Sequence, residues 1–164
     1  MSTQLEKTPV SKKTIQFQDC DMYGHLNNGR YIDCFLNARE DHLVHFYDLD
    51  IFAMSRQKGV AWLVGKHEIV YRKPANLREE VSITSEVIAF ADKSITIEMV
   101  MYDKDHTHVK SVLRSTFVHI NLKTLKATSH DDELTTLLTN VLVPRPMIDV
   151  YERAHEIESS LAKK

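Results

Sequence analysis

The sequence predicts an α+β fold, one long amphipathic helix packed on an antiparallel sheet, from three observations. Apolar residues recur at helical spacing over residues 28–47, a period of two recurs in segments between residues 60 and 121, and short turns join those segments. Strands placed so close together disfavour a doubly wound parallel sheet, in which each pair of strands needs a crossover of a dozen residues or more. At 164 residues the chain can bury one sizeable core and needs no second domain.

Residues 1–11 are rich in Ser, Thr, Gln, Lys and Pro and read as a loose lead-in with little to bury. Residues 14–18 then alternate as a first strand, with Ile15 and Phe17 on one face. In the helix, Tyr31, Ile32, Phe35, Leu36, Leu43, Phe46 and Tyr47 share one side, and Asp33, Asn37, Glu40, Asp41 and Val44 lie opposite. Arg39 falls within the apolar side, where a guanidinium needs a partner or a route to water. Residues 48–59 have mixed polarity and are expected to lead from the helix to the sheet, with a lid over a pocket as one role.

The strand over residues 60–72 opens with Val60, Ala61, Trp62, Leu63 and Val64, a run expected of a central strand buried on both faces, and Pro74 ends it. Residues 80–90 place Val81, Ile83, Val87 and Ala89 on one face, and residues 94–102 place Ile95, Ile97, Met99 and Met101 on one face. These are hairpin partners, followed by a long last strand over residues 107–121. A short helix over 131–140 and, beyond Pro144 and Pro146, a C-terminal helix within 147–162 are expected, the latter packing on its own or a neighbouring subunit.

Composition narrows the function classes. With 43% hydrophobic and 27% charged residues the chain reads as folded, and a net charge of −2 provides no polybasic field for nucleic acid. No stretch approaches the roughly 18 apolar residues of a membrane span, and the first residues lack the apolar core of a signal peptide. Cys20 and Cys34 form neither a disulfide framework nor a zinc motif, which favours a reducing, cytoplasmic setting. The histidine pairs His42/His45 and His106/His108 have no convincing third ligand, so neither a metal nor a cofactor is expected.

The densest chemistry lies in Asp19-Cys20-Asp21-Met22-Tyr23-Gly24-His25-Leu26-Asn27-Asn28-Gly29-Arg30-Tyr31. A helix opening at Asn27 or Asn28 leaves its first N–H groups without intrahelical partners, and these can stabilise negative charge on a carbonyl oxygen. A carboxylate beside such a site suits acyl transfer or hydrolysis. Taken alone, Asp21 serves equally well as a turn cap. Asp19 is read as structural, and Cys20 has no base to activate it.

This stretch closely resembles the Asp-x-Asp-x-x-Gly-His-x-Asn-Asn-x-x-Tyr signature of the hotdog-fold acyl-CoA thioesterases of the 4-hydroxybenzoyl-CoA thioesterase type. The resemblance extends to Phe35, to Ala38-Arg39 and to Tyr71-x-x-Pro74-Ala75, and covers residues 12–126, leaving 127–164 as a C-terminal helical extension. It implies a curved antiparallel sheet wrapped around the helix and a homodimer or homotetramer. It implies hydrolysis of an acyl-CoA, with coenzyme A as part of the substrate, by Asp21 acting as nucleophile or general base. The Asn28 backbone N–H would polarise the carbonyl, Gly24 would shape the loop, and His25 with Asn27 would hold it or meet substrate. Tyr31 and Phe35 are the expected acyl contacts, and pocket depth depends also on Trp62 and residues 51–54. Arg72, Lys73, Arg78 and Lys93 are candidates for coenzyme A phosphates. Alternatives are an acyl carrier protein as donor, a non-catalytic acyl-CoA-binding module, and more weakly a dehydratase of the same fold.

Overall fold

The computed structural model describes residues 4–164; residues 1–3 of the expected lead-in lie outside the described residues. In chain order the elements are β1 (Val10–Thr14), α1 (Tyr31–Tyr47), α2 (Ile51–Lys58), β2 (Val60–Tyr71), β3 (Glu80–Ala91), β4 (Ser94–Asp103), β5 (Val109–Asn121), β6 (Lys126–Ala127), α3 (Asp132–Val141) and α4 (Val150–Ala162). The strands form one antiparallel sheet in the order β1-β3-β4-β5-β2, with the short β6 paired to β5.

Helix α1 lays Tyr31, Cys34, Phe35 and Ala38 against Val81 and Ile83 of β3, Ile97, Met99 and Met101 of β4, and Leu113 of β5. Leu138 and Val141 of α3 enter the same core, so this helix is part of the main body. Helix α4 covers the opposite face with Val150, Ala154 and Ile157 on Val100, Val109 and Val112. It therefore packs on its own sheet.

That outer face also carries charge. Glu86 of β3 stands directly opposite Glu98 of β4, and both are buried. The C-terminal segment brings cations to them: Arg145 grips Glu86 through Nε at 2.9 Å and Nη2 at 3.0 Å, and Arg153 Nε reaches Glu98 at 2.9 Å. Arg114 Nη2 completes the group at 3.3 Å from Glu98.

Three expectations need correction. The first strand lies four residues earlier than residues 14–18, and the lead-in ends at the buried Pro9. After Thr14 the chain leaves the sheet; Ile15 is buried, but Phe17 opens a 3₁₀ turn, Phe17–Asp19, and is 83% exposed. β1 is an edge strand without a buried residue, so its sequence has no apolar alternation to read. Strand β2 is also an edge strand rather than a central one, and Leu63 and Val64 of its apolar run are exposed. Finally, a bulge at Ile88 shifts the β3–β4 register between Val87 and Ala89, so Phe90, opposite Ile95, takes the core side in place of Ala89.

Residues 48–59 form a helix instead of a plain connection. Asp50 caps α2 by accepting from the Phe52 and Ala53 N–H groups, and Gly59 ends it at φ 66°. Among the described residues no helix is long and apolar enough to cross a membrane.

Candidate active site

The loop from Asp21 to His25 closes on itself. The Asp21 N–H donates to the His25 carbonyl at 2.8 Å and the Gly24 N–H donates to the Asp21 carbonyl at 3.1 Å. Asp21 Oδ1 accepts from the N–H groups of Tyr23 (2.9 Å) and His25 (3.1 Å). Oδ2 has no partner among the described residues. Asp21 thus caps a turn and presents a free carboxylate oxygen at once.

Gly24 sits at φ +74°, and a Cβ built there would meet nothing within 4 Å. Its value is therefore the left-handed backbone and not close approach. The loop is tied to the stretch after β2: Leu26 N–H donates to Ala75 O and Leu77 N–H to Gly24 O, each at 2.8 Å. This explains why Pro74-Ala75 accompanies the Asp21 segment in the sequence pattern.

Asn27 caps a 3₁₀ turn over Asn28–Arg30 by accepting from the Gly29 N–H at 3.0 Å, and α1 follows at Tyr31. The helical segment opens as the sequence predicts, with one turn of tighter helix ahead of α1. Among the described residues nothing accepts from the Asn28 N–H, while the Asn28 carbonyl accepts from the Tyr71 hydroxyl at 3.0 Å. His25 is half-buried, with its ring centroid 6.5 Å from that of Tyr23. Asp19 turns away from Asp21: its carboxylate lies 3.9 Å from Arg30 Nε, and its carbonyl accepts from the Asn27 N–H at 2.9 Å. Burial, then the neighbouring carboxylates of Asp21 and Asp19, push the Cys20 thiol up from its ordinary range, leaving it a poor nucleophile.

A pocket of about 330 Å³ opens between α1, α2 and the inner face of the sheet. Leu36, Leu43, Ile51, Phe52, Trp62 and Phe117 form its apolar lining, with Arg39 and Glu40 alongside. Trp62, with Ile51 and Phe52 of α2, lines this pocket. Tyr31 and Phe35 do not: both are sealed in the core, Tyr31 receiving the Ala75 N–H on its hydroxyl at 3.1 Å. Their neighbour Leu36, one residue round the helix, faces the pocket. Leu36, Phe117 and Arg39 escaped the sequence reading as pocket residues, although the misplaced charge of Arg39 and its place in the family resemblance were signals.

The histidines divide among structural partners. His67 Nδ1 meets Ser115 Oγ at 2.7 Å, His106 Nε2 meets Ser82 Oγ at 2.7 Å, and His45 Nδ1 meets the Asp41 carbonyl at 2.8 Å. Among the described residues no group of three or more His, Cys, Asp or Glu could hold a metal ion. Arg72, a candidate for a coenzyme A phosphate, is instead held by Glu158 through bonds of 2.8 and 2.9 Å. This pairing in turn holds the Glu158 carboxyl below its usual range.

A long helix cradled by a curled antiparallel sheet is the arrangement of the hotdog fold. The chain belongs to the thioesterase-like superfamily, whose family model matches residues 15–138. It is 34% identical over 114 residues to the long-chain acyl-CoA thioesterase FadM of Escherichia coli, covering 70% of this chain and 84% of that protein. Among solved structures it resembles YbaW, a probable thioesterase from Escherichia coli (30% identity, TM-score 0.70, covering 82% of this chain and 98% of that one). It shares the fold of a Staphylococcus aureus protein, SAV2348, solved in complex with CoA (12% identity, TM-score 0.76, covering 91% and 92%).

Proposed function

We propose that this protein hydrolyses an acyl-CoA thioester to the free carboxylic acid and coenzyme A, without a metal, and that Asp21 carries the reaction. The observation that carries the reading is the division of labour within one carboxylate: Oδ1 is fixed by two backbone N–H groups and Oδ2 is free. A carboxylate so oriented either attacks the thioester carbon or takes a proton from the water that does. As the tetrahedral intermediate forms, the unpartnered Asn28 N–H receives the developing oxyanion at the start of the helical segment. Asn27 holds that turn in register, Gly24 supplies the backbone reversal, and His25 anchors the loop through its N–H and carbonyl. The carbonyl–sulfur bond then breaks and coenzyme A leaves as the thiol, taking the proton that Asp21 drew from water or, after direct attack, a proton from solvent; in the latter case water next hydrolyses the mixed anhydride and frees both the acid and Asp21.

Asp21 is exposed in the single chain, flanked by Met22 at 90% and Tyr23 at 77% exposure. Electrostatic stabilisation works best where water is excluded, and two exposed apolar neighbours beside a reactive carboxylate favour a second copy covering the loop. The proposed unit is therefore a homo-oligomer, dimer or tetramer, with the exposed Leu63 and Val64 of the β2 edge in the contact. The proposed setting is the cytoplasm, in keeping with two free cysteines.

Asp21→Asn tests the reading cleanly, because an amide oxygen still accepts from the Tyr23 and His25 N–H groups while the charge is gone. Thiol release from a panel of acyl-CoAs should fall by about 10²–10⁴-fold in kcat/KM, with thermal stability unchanged. Hydrolysis within threefold of the parent would remove Asp21 from the mechanism.

A further inference from the structure

Arg39 brings a guanidinium into the wall of the apolar pocket. It is 7% exposed and, among the described residues, has no carboxylate within ion-pair distance; Glu40, in the same wall, makes no bond to it. Its position is nonetheless firmly set. Nη1 donates to Ser85 Oγ at 3.0 Å, and the guanidinium lies 5.8 Å over the Tyr47 ring. Ser85 Oγ is in turn 2.7 Å from His42 Nδ1, whose Nε2 lies 3.0 Å from Ser11 Oγ. None of these partners is an anion. A guanidinium has five N–H donors; the Ser85 hydroxyl, the Tyr47 hydroxyl and the Tyr47 ring face engage part of the group and leave the remaining donors to whatever fills the pocket.

A buried cation without a counter-charge is costly, and a pocket that orders one is built to receive an oxygen acceptor. Arg39 lies 11 residues beyond Asn28, roughly 16 Å along the helix at 1.5 Å per residue, so an acyl chain starting at Asn28 and running beside α1 can reach it. We propose that Arg39 is a specificity-determining residue that binds an oxygen function, carboxylate or hydroxyl, at the far end of the acyl chain. The pocket then selects acyl thioesters oxidised at the end remote from the thioester. This rests on the acyl-hydrolysis reading and names its substrate class; the planar fork suits a carboxylate best.

The test uses Trp62, the chain's single tryptophan, which lines the pocket and reports binding without any turnover. In the full-length protein carrying Asp21→Asn, its fluorescence is titrated with two CoA thioesters of equal length, dodecanoyl-CoA and the half-thioester of 1,12-dodecanedioic acid. The half-thioester should bind at least about tenfold more tightly. Arg39→Met should bring the two within about twofold, and Arg39→Lys, which keeps the charge but not the fork, should retain part of the preference. If Arg39→Met does not fold, the parent comparison and Arg39→Lys still decide. Equal affinity for the two thioesters, or a preference that survives loss of the guanidinium, overturns the proposal. So does free dodecanoate competing as strongly as the half-thioester, which would put a fatty-acid carboxylate on Arg39. Thiol release from the same two donors by the protein with Asp21 intact separates the two readings. Binding preference without hydrolysis of either donor refutes the hydrolase reading alone, and equal hydrolysis with equal binding refutes the role of Arg39 alone.

Discussion

Arg153→Met removes the cation that ties α4 to Glu98 while keeping much of the apolar stem of the side chain. Glu98 is 2% exposed and faces Glu86 across the β3–β4 ladder, so it depends on Arg153 at 2.9 Å and Arg114 at 3.3 Å for compensation. Breaking a buried ion pair costs about 3–5 kcal/mol, and because Arg114 remains, the lower end applies, about 3 kcal/mol. For a domain of this size that corresponds to a fall in Tm of about 6–12 °C. Thermal unfolding and urea denaturation at pH 7 measure it. The double variant Glu98→Gln/Arg153→Met should recover a substantial part of the loss, since the uncompensated charge is then gone. A loss under about 1 kcal/mol in the single variant would refute the reasoning and make the cluster a solvated surface pair.

Three further outcomes are expected. Burial, followed by the positive charge of Arg39, pushes the His42 imidazole down to about 4. The unfolded chain therefore takes up that proton first, and His42 stabilises the fold above its ordinary pKa of about 6.5 and loses that contribution as pH falls toward 4. The parent should lose about 3 kcal/mol over that window relative to His42→Gln, read as the difference between their urea-derived stabilities at pH 7 and pH 4; parallel curves would contradict it. Gly24→Ala should cost about 1–2 kcal/mol through the positive φ alone, since its Cβ meets nothing, and a larger loss in thermal unfolding would mean an unseen clash. Leu36→Trp should fill part of the pocket of about 330 Å³ and move the preferred acyl length downward in a chain-length panel, whereas Phe35→Leu, behind the pocket wall, should alter stability more than chain length.

The strands that were legible in sequence are those whose two sides differ in polarity. In β4, Ile95, Ile97, Met99 and Met101 all reach the core, and the strand, Ser94–Asp103, exceeds the expected span by one residue. β2 was misplaced because a run such as Val60–Val64 looks the same whether a second layer covers it or it lies at an exposed sheet edge. β1 was shifted for the opposite reason: Lys12 and Lys13 on an edge give no apolar period. The Asp21 loop was readable through its resemblance to a family signature, and the local geometry shows why those residue types recur together: a cap at Asn27, a left-handed turn at Gly24 and an acceptor at Asp21. The pocket was less readable. Phe35 and Leu36 are equally apolar and differ by 100° about the helix axis, and only the position of α2 decides which one faces the cavity.

Helix α4 limits the valency of this molecule. With Val150, Ala154 and Ile157 seated on the outer face of the sheet, another sheet cannot stack there without first displacing the helix and exposing Glu86 and Glu98. The two edges of the sheet, β1 and β2, are left without a further strand beside them. A chain whose tail occupies its own sheet face thus keeps that face from a neighbour, and truncation before Pro144 would uncover Glu86, Glu98 and the apolar patch of Val100, Val109 and Val112 together.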